Sequence, residues 1–175
     1  VGLLLKDLHS PNGKELDDTW IYVQESDVKV GRLQIFNNWS PFLVADLSTK
    51  WVGLEFFCNE GDDLWNLSDN ELIDLAKKEL SLLKLCNLND FIDGTVLREK
   101  KTYPAYFDSY KNFDDLKDKF DNISNLFLIG RNGMHKYNNQ DHSMLTGFRA
   151  AELINRNQTQ KEFKSNLWEI NACLL

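Results

Sequence analysis

The segment Asn125-Leu126-Phe127-Leu128-Ile129-Gly130-Arg131-Asn132-Gly133-Met134-His135-Lys136-Tyr137-Asn138-Asn139-Gln140-Asp141-His142-Ser143-Met144 sets the reading of the chain. Its first five residues form an apolar run bounded by polar ones, the pattern of a strand buried on both faces. Gly130 ends that run. Met144, Leu145, Phe148, Ala151 and Ile154 follow at helical spacing, so a helix begins near residue 140. Ligands bind where a strand's C-terminal end meets a helix N-terminus, because free backbone amides point outward there. Gly130 and Gly133 let a ligand approach the backbone. Arg131 offers a planar fork of donors. Tyr137 offers a flat ring with a polar tip. Asn138, Asn139 and Asp141 are suited to capping the helix and orienting the loop. The same composition also makes a plain connector, so spacing alone leaves both readings open.

Working outward, the N-terminal third has the period of strands. Val1 to Lys6 is apolar. Ser10-Pro11-Asn12-Gly13 is turn chemistry. Thr19 to Val23 is β-branched and aromatic, Gly31 to Phe36 alternates, and Trp51 to Cys58 forms another strand. Ser68-Asp69-Asn70-Glu71 is a capping box that opens a helix over about 69–85, with Asn87 and Asn89 as stops. Thr95 to Tyr103 has strand character and ends before Pro104. Asn112 caps a short helix bearing Phe113, Leu116 and Phe120, and Phe163, Leu167, Trp168 and Ile170 mark a final helix face. The chain opens within an apolar run, and the expectation is that residues precede Val1.

Composition excludes several classes. Apolar residues make up 42% of the 175, enough for a core. Net charge is -7, which argues against a nucleic-acid partner. No apolar run is long enough to span a bilayer. Cys58, Cys86 and Cys173 are widely spaced and odd in number, which fits buried thiols in a reducing, cytoplasmic compartment. His135, His142 and Asp141 lack the spacing of a metal site, and none is expected. Asp141-His142-Ser143 are too close in sequence to converge as a triad. Gly61-Asp62-Asp63 lacks the calcium-loop pattern. The five tryptophans are expected mostly in the core or on sheet faces, and Trp39, in an asparagine-rich loop, is allowed a place near substrate.

The G-R-x-G of Gly130 to Gly133, the Y-N-N-Q-D-H-S-M of Tyr137 to Met144 and the helix bearing Arg149-Ala150-Ala151-Glu152 resemble the C-terminal flavin-contacting motif of the amine oxidoreductase superfamily. The nearest resemblance is to a bacterial branch similar to protoporphyrinogen oxidases and UDP-galactopyranose mutases. Upstream, Arg32-Leu33-Gln34 with Asn38-Trp39-Ser40-Pro41, Gly53 to Phe57, Gly61 to Trp65 and Tyr103 to Tyr106 resemble the same branch, so the likeness covers roughly residues 30 to 155.

That resemblance implies an α+β fold. An antiparallel sheet with flanking helices would form the substrate domain over residues 1–110. Residues 111–175 would return a strand and helix to an FAD-binding Rossmann-type domain, whose G-x-G-x-x-G half is absent from this chain. The cofactor implied is FAD, not retained by this chain alone. Gly130, Arg131, Gly133, Tyr137, Asn138, Asn139, Asp141 and Met144 would contact it, with Trp39 and His135 toward a small-molecule substrate. The parent would be an FAD-dependent oxidoreductase, and no catalytic residue is assigned. The alternatives are a mutase-like flavoenzyme acting on a sugar nucleotide, or a non-catalytic interaction module. The mutases carry an acidic residue where this chain has Asn139 and an aromatic where it has His135. An exposed apolar strand at 126–129 and the helix after it would drive self-association.

Overall fold

The structure is a computed structural model that describes residues 1–103 and 105–171. Pro104, expected to end a strand, and Cys173, expected to be structural, lie outside the described residues. The chain divides into two compact units, Val1–Lys100 and Lys101–Leu175.

The first unit is a five-stranded antiparallel sheet in the order β2-β3-β4-β1-β5, formed by β1 (Gly2–Leu5), β2 (Trp20–Tyr22), β3 (Val30–Ile35), β4 (Lys50–Phe56) and β5 (Phe91–Thr95). Helix α1 (Asp69–Leu82) packs on β1 and β5. The period-2 alternation is visible in the result. Leu3, Leu5, Val30, Leu33, Ile35, Val52 and Leu54 share one buried core with Ala76 and Leu80 of α1. Each such side chain contributes about 1.5–3 kcal/mol on burial.

The sheet and helix are also joined by a charge. The buried carboxylate of Glu79 accepts the backbone N–H groups of Lys29 and Val30, both at 2.8 Å, where β3 begins. A carboxylate fits that task because its two oxygens can satisfy two adjacent amides.

The expected capping box is present: Ser68 Oγ accepts the Glu71 N–H and Glu71 Oε2 accepts the Ser68 N–H. The helix ends sooner than the expected residue 85. Lys84 takes a left-handed conformation (φ 58), its N–H bonds to Ser81 O, and Leu85 N–H bonds to Leu80 O. This double closure satisfies the last carbonyls and lets Leu85 turn into the core. The strand expected over Thr95 to Tyr103 is displaced: the observed strand is Phe91–Thr95, and residues 96–103 form no strand. The reason is pairing, since the ladder with β1 ends at the Gly2–Thr95 pair.

The second unit is helical among the described residues, with α2 (Phe113–Asp121), α3 (Gln140–Asn155) and α4 (Lys161–Glu169). Met134, Ala150, Leu153 and Leu167 are its buried apolar residues. The 125–129 run is expected to pair with strands that lie outside this chain. The backbone is extended at Ile129 (φ -131, ψ 157), but among the described residues no strand pairs with this run, and its side chains are half-buried or exposed.

A buried lysine holds the start of the run. Lys164 of α4 is 1% exposed, and its Nζ donates to the carbonyls of Asp121, Ile123 and Leu126 at 3.2, 2.6 and 2.8 Å. An ammonium thus ties off the end of α2 and the start of the run, the role a C-terminal cation often plays for helix carbonyls. The Asp121 carboxylate, at the end of α2, accepts the indole N–H of Trp168 of α4.

Candidate functional site

The Gly130–Arg131–Gly133 loop is built in the second unit by three layers of restraint. The first is backbone geometry. Gly130 has φ +69, a conformation that L side chains rarely adopt, and its N–H donates to Thr146 Oγ1 at 2.9 Å. Thr146, fully buried in α3, donates its own hydroxyl hydrogen bond to Ser143 O. A Cβ at Gly133 would lie 3.7 Å from the Leu128 carbonyl carbon, so the loop turns back closely upon the extended run.

The second layer is Arg131. Its Nε and Nη2 both donate to Asn138 O, at 3.0 and 2.8 Å, which closes residues 131–138 into a ring. The guanidinium lies 4.4 Å from the Tyr137 ring centroid and 5.6 Å from that of Tyr103, whose rings stack at 5.8 Å and 18°. The Tyr106 hydroxyl accepts the Tyr137 N–H. A hydroxyl that accepts one bond keeps its own proton free to donate elsewhere. Arg131 has five N–H donors, and two are committed to Asn138.

The third layer is a buried amide network. Asn138 is 1% exposed; its Nδ2 donates to Asn171 Oδ1 at 3.0 Å, and its Oδ1 accepts from Ser143 Oγ at 2.7 Å. Asn171 in turn donates to Met134 Sδ. Fully satisfied buried networks of this kind hold a loop in one geometry.

The remaining expected site residues divide. Asn139 stands at the N-cap of α3 with extended backbone, but its side chain makes no capping bond, and the inward-turned Asn138 makes none either. Asp141 sits in the first turn of α3 and bonds His142 Nδ1 at 2.9 Å; that hydrogen bond chiefly holds its carboxyl below the ordinary value. Ser143 bonds Asn138, so Asp141, His142 and Ser143 form no relay. Met144 is exposed on α3. His135 takes a left-handed conformation (φ 47) and packs on the rings of Tyr110 and Phe113 at 5.7 and 5.9 Å.

Trp39 belongs to the first unit. Asn37 and Asn38 anchor its turn. Asn37 bonds both Thr49 O and Trp51 N–H, and Asn38 bonds Leu16 O and Asp18 O. Trp39 meets Trp20 at 6.0 Å and 56°.

No protein-family model matches the chain, and the search of curated proteins finds no match. Among solved structures, the chain is similar to the crystal structure of a reduced UDP-galactopyranose mutase, with a TM-score of 0.69 and 22% sequence identity. The likeness covers 97% of this chain and 36% of that one, so the chain spans about a third of the protein it matches. At that identity the shared property is the fold: an antiparallel sheet with flanking helices, as the sequence led us to expect. No helix among the described residues is long and apolar enough to cross a membrane.

Sequence reasoning missed Tyr103 and Tyr106 as parts of the loop, along with Thr146 and Asn171. Tyr103 and Tyr106 stood in a quoted motif, but nothing in their spacing places them beside a loop some thirty residues away. Arg32, Gln34 and Glu55 were also missed as a group. Their alternation on β3 and β4 was the available signal, since residues two apart share a sheet face.

Proposed function

We propose that this chain supplies the substrate-side sheet and the flavin-contacting loop of an FAD-dependent oxidoreductase. The observation that carries the reading is the bracing of Arg131. A guanidinium held by two bonds to Asn138 O and stacked on two tyrosine rings is a fixed donor group beside a positive-φ glycine. Such a group suits a planar, electron-rich partner with carbonyl or phosphate oxygens, because it loses little freedom on binding.

The residues present fit FAD. Gly130 and Gly133 would let the loop backbone approach it, Arg131 and the Tyr106 hydroxyl would donate, and Tyr137 would lie against a flat ring. Asn138, Asn139, Asp141 and Met144 would frame the start of α3 beside it. When bound, FAD supplies hydride acceptance. The chain's own residues orient it: the amide network holds the loop, and the Tyr103 and Tyr137 rings brace the guanidinium. The proposed substrate is a small molecule, with His135 as a candidate neighbour beside the loop.

The similarity to a UDP-galactopyranose mutase supports a second reading, a redox-neutral flavoenzyme acting on a sugar nucleotide. The two readings share the loop and differ in the substrate.

The test is FAD titration of the flavoenzyme that contains this segment, followed by flavin absorbance. Arg131→Ala should weaken FAD binding by about 1.5–3 kcal/mol, the worth of a charge-assisted hydrogen bond. Arg131→Lys should recover only part of this, because one ammonium cannot reproduce the fork. Wild-type affinity in both variants would overturn the proposal.

A further inference from the structure

The inner stripe of α4 is largely polar, where a packed helix is ordinarily apolar. Lys164, Leu167, Trp168 and Asn171 stand at i, i+3, i+4 and i+7, the spacing of one buried face. The face runs past Glu169 because Ile170 keeps helical dihedrals (φ -57, ψ -35) and the Asn171 N–H bonds Trp168 O at 3.2 Å. Lys164, Leu167 and Asn171 are each 1% exposed. An amide costs free energy to bury unless it is bonded, so the bonds of Asn171 decide what it does there.

Asn171 reaches the Gly130–Asn138 loop at two points. Its Oδ1 accepts from Asn138 Nδ2 at 3.0 Å, and its Nδ2 donates to Met134 Sδ at 3.0 Å. Met134 follows Gly133, and its N–H closes the turn on Gly130 O. A thioether sulfur is a weak acceptor, so the bond to Asn138 is the stronger tie. Asn138 is the pivot. Its side chain is held by Asn171 and by Ser143 Oγ, and its backbone carbonyl accepts both bonds from Arg131. With both amide atoms of the side chain fixed, the two soft backbone torsions of Asn138 are confined, and with them the direction of its carbonyl.

We propose that Asn171 is a positioning residue for Arg131. It acts through Asn138: by fixing that side chain it fixes the carbonyl on which the guanidinium rests. The seating of α4 and the direction of the Arg131 fork are then coupled, and whatever binds the fork favours the seated helix in return. Lys164 supports the same arrangement from the other end of the stripe, through Leu126 O ahead of the loop. That the group bound at the fork is FAD rests on the flavin reading; the positioning does not.

The test reads the Arg131 Nε–H in a nitrogen–proton spectrum of the full chain, with no flavin present. That hydrogen is bonded to Asn138 O, and its exchange with water reports how often the bond opens. Asn171→Leu keeps the branched outline of the side chain and removes both amide bonds. Exchange should speed about ten-fold, the factor to which one hydrogen bond corresponds. Asn171→Ala removes the same bonds without added bulk and should do the same. The control is Leu167→Ala or Leu167→Val, whichever matches the fall in urea midpoint of Asn171→Leu. It loosens the same helix without removing a side-chain hydrogen bond, and Arg131 exchange should stay near the wild-type rate. In the flavoenzyme that contains this segment, Asn171→Leu should weaken FAD binding about ten-fold alone and no further in an Arg131→Ala background, because both changes then remove one interaction.

Unchanged Arg131 exchange in the Asn171 variants overturns the proposal. So does equal acceleration in the matched Leu167 variant, since α4 would then be a general support. Additive effects of Asn171→Leu and Arg131→Ala on FAD affinity also overturn it. A wild-type enzyme that binds no FAD sinks the flavin reading alone, and the exchange rates still decide the positioning.

Discussion

Replacing Lys164 by methionine tests the central claim about the second unit, that a buried ammonium ends α2 and directs the extended run toward Gly130. Methionine keeps the apolar stem and removes the charge and donors. Lys164 Nζ serves three carbonyls. Ile123 O keeps a second donor, the Leu126 N–H at 3.1 Å, so its loss is partial. Asp121 O and Leu126 O lose the ammonium, and an unsatisfied buried carbonyl costs about 1–3 kcal/mol. Two such groups give about 2–6 kcal/mol. Against this stands the relief of no longer burying a charge, which costs several kcal/mol per ion before its bonds are counted. Burial already pushes the Lys164 pKa down, with Asp121 opposing, so that relief is real.

The expected net loss is about 2–4 kcal/mol, within the range for breaking a buried charged arrangement. The assay is urea unfolding followed by hydrogen exchange at residues 121–131. The midpoint should fall with the slope unchanged, and protection should drop locally around Leu126. Lys164→Arg should fall between, because a planar fork cannot point at three carbonyls gathered round one point. A methionine variant within about 0.5 kcal/mol of wild type, with unchanged exchange, would refute the reasoning and show that the carbonyls find water instead.

Glu79→Ala should destabilise the first unit by about 2–4 kcal/mol, because two amides at the start of β3 lose a carboxylate; Glu79→Gln should cost less, since one carbonyl oxygen remains, and thermal unfolding separates the two. In a Cys173→Ser background, Cys58 should react with a thiol reagent in the native state, whereas buried Cys86 should react only on unfolding. Burial pushes the Cys86 thiol up to about 11 from the ordinary 9.0, so between these values the folded state holds a proton that the unfolded state has lost. Stability should therefore fall as pH rises from about 9 to about 11, and a Cys86→Ala variant should show a shallower decline in denaturant midpoint across that window.

A short apolar run announced β1, alternation announced β3, the run from Trp51 announced β4, and the Ser68–Glu71 box announced the start of α1. These are local signals: a period or a cap depends on neighbours within four residues, and the chain carries them wherever it folds. The helix carrying Met144 and Phe148 was legible for the same reason. The loop residues Gly130, Arg131 and Tyr137 were legible as a set of chemical types.

What those residues do to one another was decided only in three dimensions. Phe91–Thr95 contains an aspartate and a glycine, poor strand formers, yet it is a strand because β1 offers it an edge. Leu126 to Ile129 has strand composition, and only folding brings Lys164, 38 residues from Leu126, to the carbonyl that begins the run. Arg131 reads as a free donor in sequence, and folding commits two of its bonds to Asn138 O. Arg32 and Glu55 are 23 residues apart and meet only because β3 and β4 pair in one register. Period and capping are short-range and survive in the sequence. Pairing, burial and charge compensation depend on which distant groups arrive together, and that is settled when the sheet and the helices pack.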